Sequence, residues 1–148
     1  MMLAALFLLF QVNAQVEPYT FREDQGQTTK VVLQNGLTVI VREQQAVPLT
    51  SITTFVKAGY FNESDRISGI SHVIEHMFFK GTAKRPVGEI ARETKTLGGH
   101  LNAYTYYDRT VYHTVVPAEN AKKALEIQSD ALWNSTFDPD ELKREIEV

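Results

Sequence analysis

The chain has 148 residues, of which 43% are apolar and 22% charged, a composition typical of a globular protein and unlike that of a disordered or fibrous one. With 15 basic and 18 acidic side chains the net charge is −3, which argues against binding to nucleic acid or to an anionic membrane surface. The chain has no cysteine, so disulfides and thiolate ligands are excluded, and a metal site must use histidines and carboxylates.

The N-terminus predicts a signal peptide over residues 1–14. Met1–Phe10 is almost wholly apolar, and Val12 and Ala14 match the small-residue pattern that precedes a signal-peptidase cut, which would leave Gln15 first. This apolar run is too short to span a bilayer, which needs about twenty residues. No basic residue precedes it, so a buried N-terminal strand and a start inside a longer leader remain alternatives. We expect a secreted or periplasmic location without stable membrane insertion.

The first regular structure along the chain is predicted to be β. Asn35-Gly36 favours positive φ at both positions of a type I′ turn, so the segments 31–33 and 37–41 form a hairpin. Residues 51–60 are rich in Ile, Thr, Phe and Val and predict a third strand.

The next segment, residues 68–80, predicts a helix that ends at Gly81. Apolar residues recur there at the spacing of a buried helical stripe: Ile70, Val73, Ile74 and Met77.

The second half of the chain predicts three helices and one hairpin. The helices cover residues 86–97, residues 119–133 and a segment that begins at Asp138-Pro139, and the hairpin strands are residues 101–105 and 110–116. The last helix shows no stop signal before Val148, which predicts that the natural protein continues. We therefore expect an α+β fold, an antiparallel sheet with helices packed on one face, over a domain of residues 15–148 that is incomplete at its C-terminus.

The candidate catalytic and metal-binding residues lie in the sequence His72-Val73-Ile74-Glu75-His76. Histidines four residues apart lie above one another on a helix, so both imidazoles can hold one ion, and Glu75 lies at the edge of the same face. Zinc accepts such histidines, lowers the pKa of a bound water toward about 7, and a neighbouring carboxylate can take the proton as general base. The alternative is a helix whose histidines and glutamate only satisfy each other.

The pattern His-x-x-Glu-His resembles the inverted zinc motif of the inverzincins, the pitrilysin and insulinase metallopeptidases. The flanking segments resemble the signatures of that family as well: Gly69-Ile70-Ser71, Met77-Phe78-Phe79-Lys80-Gly81-Thr82, Gly98-Gly99-His100-Leu101-Asn102-Ala103-Tyr104-Thr105 and Thr136-Phe137-Asp138-Pro139. The resemblance extends over residues 31–148.

The resemblance implies a role for each residue of the motif. His72 and His76 correspond to two zinc ligands and Glu75 to the catalytic base. Glu145 corresponds to a glutamate that supports the site without binding metal, although a solvated surface glutamate is the alternative. The third ligand of the family is a glutamate that would fall near position 152, beyond Val148, so this chain alone is expected to bind zinc weakly or not at all.

The resemblance also implies a substrate strand. Residues 101–105 correspond to the edge strand to which an extended peptide adds, with Asn102 and Ala103 beside the scissile bond. The alternative is an ordinary paired strand. Outside the motif we expect His100 to be exposed and His113 to be a core histidine.

The function implied by the resemblance is a zinc-dependent endopeptidase that cleaves peptides or small unfolded proteins. Later domains of the parent chain or a partner subunit would be needed to close the chamber around the substrate. The alternative is a non-catalytic partner or scaffold subunit of the same fold, although such subunits usually lack the intact motif. A nucleic-acid-binding or membrane-surface module is disfavoured by the charge balance.

Overall fold

A computed structural model describes residues 18–147, so the predicted signal peptide lies outside the described residues. The chain divides into two compact units, the first ending at Ala46 and the second beginning at Val47. Within residues 18–147, no helix combines the length and the apolar character needed to cross a membrane.

The first unit is a three-stranded antiparallel meander of β1 (Tyr19–Gln25), β2 (Thr28–Leu33) and β3 (Thr38–Arg42). The predicted hairpin of β2 and β3 is confirmed, but its turn type is not. Gly36 has a positive φ of 85°. Asn35 does not share this conformation, because Phe137 is the sole residue other than glycine with positive φ among the described residues. Since Asn35 keeps a negative φ, the loop has the three-residue form with glycine in the left-handed position.

The second unit contains a separate antiparallel sheet of β4 (Leu49–Val56), β5 (His100–Thr105) and β6 (Thr110–Pro117). The strand order is β4-β6-β5, so β5 lies at an edge of this sheet. The predicted third strand is shorter than expected at its C-terminal end, because a short 3₁₀ helix occupies Tyr60–Asn62.

Four helices complete the second unit: α1 (Ile70–Met77), α2 (Glu89–Thr96), α3 (Ala121–Asn134) and α4 (Pro139–Ile146). The predicted start of α4 is confirmed, since the Asp138 side chain accepts hydrogen bonds from the backbone N–H groups of Asp140 and Glu141. Helices α1, α2 and α3 contact the strands of this sheet.

The core of the second unit lies between the sheet and the helices. Its buried members are Phe78, Ile90, Ala103, Tyr112, Ile127 and Ala131, contributed by both layers. The predicted α+β class is confirmed, with the strands divided between two antiparallel sheets.

The predicted buried stripe of α1 is confirmed at Met77, which is 0% exposed, but it is wrong at Ile70 and Ile74. Ile70 and Ile74 are 36% and 44% exposed, whereas Ser71, Glu75 and Phe78 are 8%, 7% and 3% exposed. Because successive residues are about 100° apart around a helix, the buried face is rotated by roughly one residue from the apolar spacing. The polar positions Ser71 and Glu75 therefore lie on the inner side of α1.

The chain enters β5 through a close backbone contact at Gly99. A Cβ atom at this position would lie 2.4 Å from Cγ1 of Val116 and 2.9 Å from the carbonyl oxygen of Val115. Only glycine allows β5 to begin this close to β6.

Candidate metal centre

Helix α1 brings the two motif histidines together. The Nε2 atoms of His72 and His76 are 3.1 Å apart, and their ring centroids are 4.5 Å apart. His72 is exposed and His76 is half-buried, so the pair lies at the rim of the helix face that packs inward.

The spacing of these nitrogens fits a shared metal ion. Two imidazole ligands at tetrahedral angles and about 2.0 to 2.1 Å from zinc are separated by about 3.3 Å. The observed 3.1 Å between His72 and His76 is close to that separation. The donor type also fits, since neutral imidazole nitrogens are common zinc ligands.

Glu145 determines which ring nitrogen of His76 is available to bind a metal ion. Its Oε2 atom is 2.5 Å from Nδ1 of His76. The hydrogen bond from Lys80, followed by that from His76, holds the pKa of Glu145 below its usual range, so the carboxylate is ionised and can only accept. The proton of a neutral His76 therefore lies on Nδ1, which leaves the lone pair of Nε2 directed toward His72.

Lys80 follows the end of α1 and connects this helix to α4. Its Nζ atom is 2.5 Å from Oε1 of Glu145 and 3.4 Å from Oε2 of Glu141. The ammonium group therefore contacts successive turns of α4 and directs Glu145 toward His76. Hydrogen bonding to Glu145 raises the pKa of Lys80, so the cation persists at neutral pH.

Glu75 is held on the inner side of α1 by the neighbouring edge strand. Its side chain is buried, and Oε2 accepts a hydrogen bond of 2.6 Å from the hydroxyl of Thr105 on β5. Burial, with a smaller contribution from the charge of Glu75, raises the pKa of Tyr112 to about 12. The Glu75 carboxylate thus lies on the inner side of α1, against β5.

The N-terminus of α1 is fixed by Glu63 from the preceding loop. The two carboxylate oxygens of Glu63 accept hydrogen bonds from the backbone N–H groups of Gly69 at 2.7 Å and Ser71 at 2.8 Å. These hydrogen bonds, that of Gly69 first, hold the pKa of Glu63 below its usual range. An acidic side chain at this end of a helix also interacts favourably with the helix dipole.

The remaining predicted residues lie on or beside β5. Asn102 is exposed and Ala103 is buried, so they point to opposite faces of the edge strand. His100 is exposed, as predicted. His113 is only partly buried and stands beside His100 and Tyr104, with an Nδ1 atom that has no hydrogen-bond partner among residues 18–147.

Within residues 18–147 no three histidine or acidic side chains are grouped so that they could hold one metal ion. The structure brings together His72, His76 and Glu145, but Glu145 contacts the far nitrogen of His76 rather than the space between the two Nε2 atoms. The described residues thus provide two candidate ligands and a carboxylate that orients one of them.

Sequence analysis did not predict the roles of Thr105, Lys80 and Glu63. Thr105 and Lys80 contact their partners through the tertiary fold, at a separation of 65 residues in the pair Lys80 and Glu145, whereas Glu63 caps the helix from the adjoining loop. The available signal was the position of Lys80 one turn after His76, on the same helical face.

Comparison with known proteins identifies the family. Residues 38–148 match the model of the insulinase family, peptidase family M16. A Rickettsia felis protein named an uncharacterized zinc protease is 42% identical over 116 residues, which cover 78% of this chain and 28% of that protein. A mitochondrial-processing peptidase subunit beta from Blastocladiella emersonii is 36% identical over 116 residues, covering 78% of this chain and 25% of that protein.

A solved structure agrees with these sequence relatives. The crystal structure of a protease from Helicobacter pylori superposes with a TM-score of 0.78 at 30% sequence identity, over 81% of this chain and 29% of that chain. The chain spans 28% and 25% of the length of the two curated relatives described above. The match over residues 38–148, joined to the inverted histidine motif on α1, shows that the chain belongs to the insulinase family of metallopeptidases.

Proposed function

We propose that the protein is a zinc-dependent endopeptidase that hydrolyses peptide bonds in peptides or small unfolded proteins. The observation that carries this proposal is the 3.1 Å approach of the Nε2 atoms of His72 and His76 on a helix that also carries the buried carboxylate of Glu75. In this proposal the two histidines are metal ligands and Glu75 is the general base.

Each residue of the site has a separate task in this mechanism. Zinc, when bound, supplies a Lewis acid and makes water acidic enough to lose a proton near neutral pH. Glu75 would accept a proton from the attacking water and pass it to the leaving amine of the cleaved peptide bond. Glu145 keeps the proton of His76 on Nδ1, which preserves Nε2 as a ligand.

The edge position of β5 supports a role in substrate binding. An edge strand presents backbone N–H and C=O groups that an extended peptide can pair with. We propose that the peptide adds along β5 with Asn102 and Ala103 beside the bond to be cleaved. Main-chain pairing of this kind would accept many sequences, which suits a peptidase acting on unfolded segments.

The proposal requires groups outside the described residues. A catalytic zinc site uses three protein ligands, and the family resemblance implies a third, a glutamate near position 152. We propose that later domains of the parent chain or a partner subunit enclose the substrate, and that residues 1–148 alone bind zinc weakly. We further propose export to the cell exterior or the periplasm, on the basis of residues 1–14.

The decisive test replaces Glu75 in the full-length protein. Glu75→Gln keeps the size of the side chain but removes the base, and we expect the kcat for an unstructured peptide to fall by about 10² to 10⁴-fold. Zinc content measured by mass spectrometry should stay at the wild-type level, and a chelator should abolish wild-type activity. The matched control Glu119→Gln removes an exposed glutamate and should leave kcat unchanged.

Two outcomes would contradict the proposal. Wild-type activity in Glu75→Gln would exclude this residue as the base. A full-length protein that folds and binds peptide but takes up no zinc would support the non-catalytic scaffold instead.

A further inference from the structure

We infer that Thr105 is a positioning residue that ties the orientation of Glu75 to the edge strand β5. The inference rests on the proposed function, because it concerns the base and the substrate strand of that function. It assigns a role to a hydroxyl that lies outside the histidine motif.

The Glu75 carboxylate is largely isolated from solvent. Its side chain is 7% exposed, so water provides little hydrogen bonding. Among residues 18–147, the Thr105 hydroxyl, at 2.6 Å from Oε2, is the single hydrogen-bond donor found for the Glu75 side chain. A buried carboxylate with one donor takes its orientation from that donor.

The position of the Thr105 hydroxyl is set by the pairing of β5 with β6. Thr105 is the last residue of β5 and pairs with Thr110 of β6, with the two hydroxyl oxygens 3.5 Å apart. The Thr110 hydroxyl donates its one hydrogen to the carbonyl oxygen of Ala58 at 2.9 Å. The hydrogen of Thr105 is therefore left for Glu75, and the strand pairing fixes the direction in which it points.

The two oxygens of the Glu75 carboxylate differ in their hydrogen bonding. With Oε2 of Glu75 engaged by Thr105, Oε1 is the oxygen left for proton transfer. The hydrogen bond also fixes the plane of the carboxylate, and small errors in the position of a general base reduce its efficiency. A peptide that pairs with the edge of β5 would lie on the strand that carries Thr105, so the same strand would hold both the substrate and the base.

The experiment compares three substitutions at position 105 in the full-length protein. Thr105→Val keeps the branched shape without the hydroxyl, Thr105→Ala removes both, and Thr105→Ser keeps the hydroxyl. The matched control is Thr53→Val, the same change on the exposed face of β4. The measurements are kcat and KM on a long and a short unstructured peptide, zinc content and the thermal midpoint.

We expect Thr105→Val and Thr105→Ala to lower kcat by about 10 to 100-fold, in the range seen when a partner that orients an active-site group is lost. KM and zinc content should stay near wild type for both peptides. Thr105→Ser should recover kcat to within about threefold of wild type, since a hydroxyl again meets Glu75. Thr53→Val should behave as wild type.

Wild-type kcat in Thr105→Val, or equal losses in Thr105→Ser and Thr105→Val, would overturn the inference. If Thr105→Val fails to fold, the comparison of Thr105→Ala with Thr105→Ser decides in the same way. Loss of thermal stability without loss of kcat would assign Thr105 a purely structural role. Failure of the proposed function is distinguishable, because Glu75→Gln would then keep wild-type activity.

Discussion

Two carboxylate networks in the second unit use similar groups in opposite ways. In the first, Arg85 donates to Oδ2 of Asp130 at 2.6 Å and to Oε2 of Glu93 at 3.2 Å. Thr82 also donates to Oδ2 of Asp130, and Asn134 donates to Oδ1. The charged ends of this network are matched, and both Arg85 and Asp130 are buried.

The second network, at the candidate metal centre, ends in the histidine pair. Lys80, Glu145 and Nδ1 of His76 are matched, while the Nε2 atoms of His72 and His76 face each other across 3.1 Å. Two lone pairs at that distance repel unless a proton or a cation lies between them. The Asp130 network is thus complete within the fold, whereas the two Nε2 atoms of the second network can share either a proton or a metal ion.

Substitution of Asp130 should have the strongest consequence, because it disrupts the network that is complete within the fold. Asp130→Ala removes the closest hydrogen-bond acceptor of the buried Arg85 guanidinium. Because a buried charge is then left without its partner, we expect the free energy of unfolding to fall by about 3 kcal/mol. Chemical denaturation measures this quantity. Glu126→Ala, on the same helix but at an exposed ion pair with Lys123, should change it by less than about 1 kcal/mol. Equal effects of the two substitutions would mean that the Asp130 network is not structural.

Substitution of Glu145 should lower the affinity for zinc rather than the stability of the fold. Glu145→Gln can no longer hold an ionised acceptor against Nδ1 of His76, and we expect the zinc affinity of the full-length protein to fall by about 10 to 100-fold. Competition with a chromogenic chelator measures this affinity. Glu147→Gln, an exposed change just past α4, serves as control. Unchanged zinc affinity in Glu145→Gln would remove this residue from the site.

The smallest effect is a pH dependence at the start of α1. The pKa of Glu63 in the folded protein lies below its ordinary value of 4.5, so its hydrogen bonds stabilise the protein above that pH. This stabilisation is lost as the pH falls through the lowered pKa of the folded state. Glu63→Gln should therefore lower the thermal midpoint at neutral pH, and the difference from wild type should shrink at acidic pH. A difference independent of pH would show that the charge of Glu63 contributes nothing.

Local signals predicted the parts of the fold that depend on neighbouring residues. The Asn35-Gly36 hairpin and the Asp138 cap both follow from side chains within three residues of the affected backbone. The histidine pair belongs to the same class, because a separation of four residues on a helix fixes the proximity of the rings.

Tertiary contacts account for what the sequence could not predict. The apolar spacing of α1 predicted a buried Ile70 and Ile74, but β5 lies against the side that carries Glu75, so the polar side faces inward. The contact between Glu75 and Thr105 joins residues 30 positions apart, and periodicity within one helix carries no information about it. The strand β1 was also missed, because its exposed polar residues lack the alternation of a half-buried strand.

The glycine at the start of β5 constrains how this protein could be re-engineered. Because Gly99 lies against the backbone of Val115, a larger residue there would displace the strand from its neighbour. Displacement at position 99 would travel along β5 to Thr105, at the other end. A mutant library that targets the surface of β5 should therefore keep position 99 constant and diversify the solvent-facing positions of the strand, which vary surface chemistry without moving the backbone.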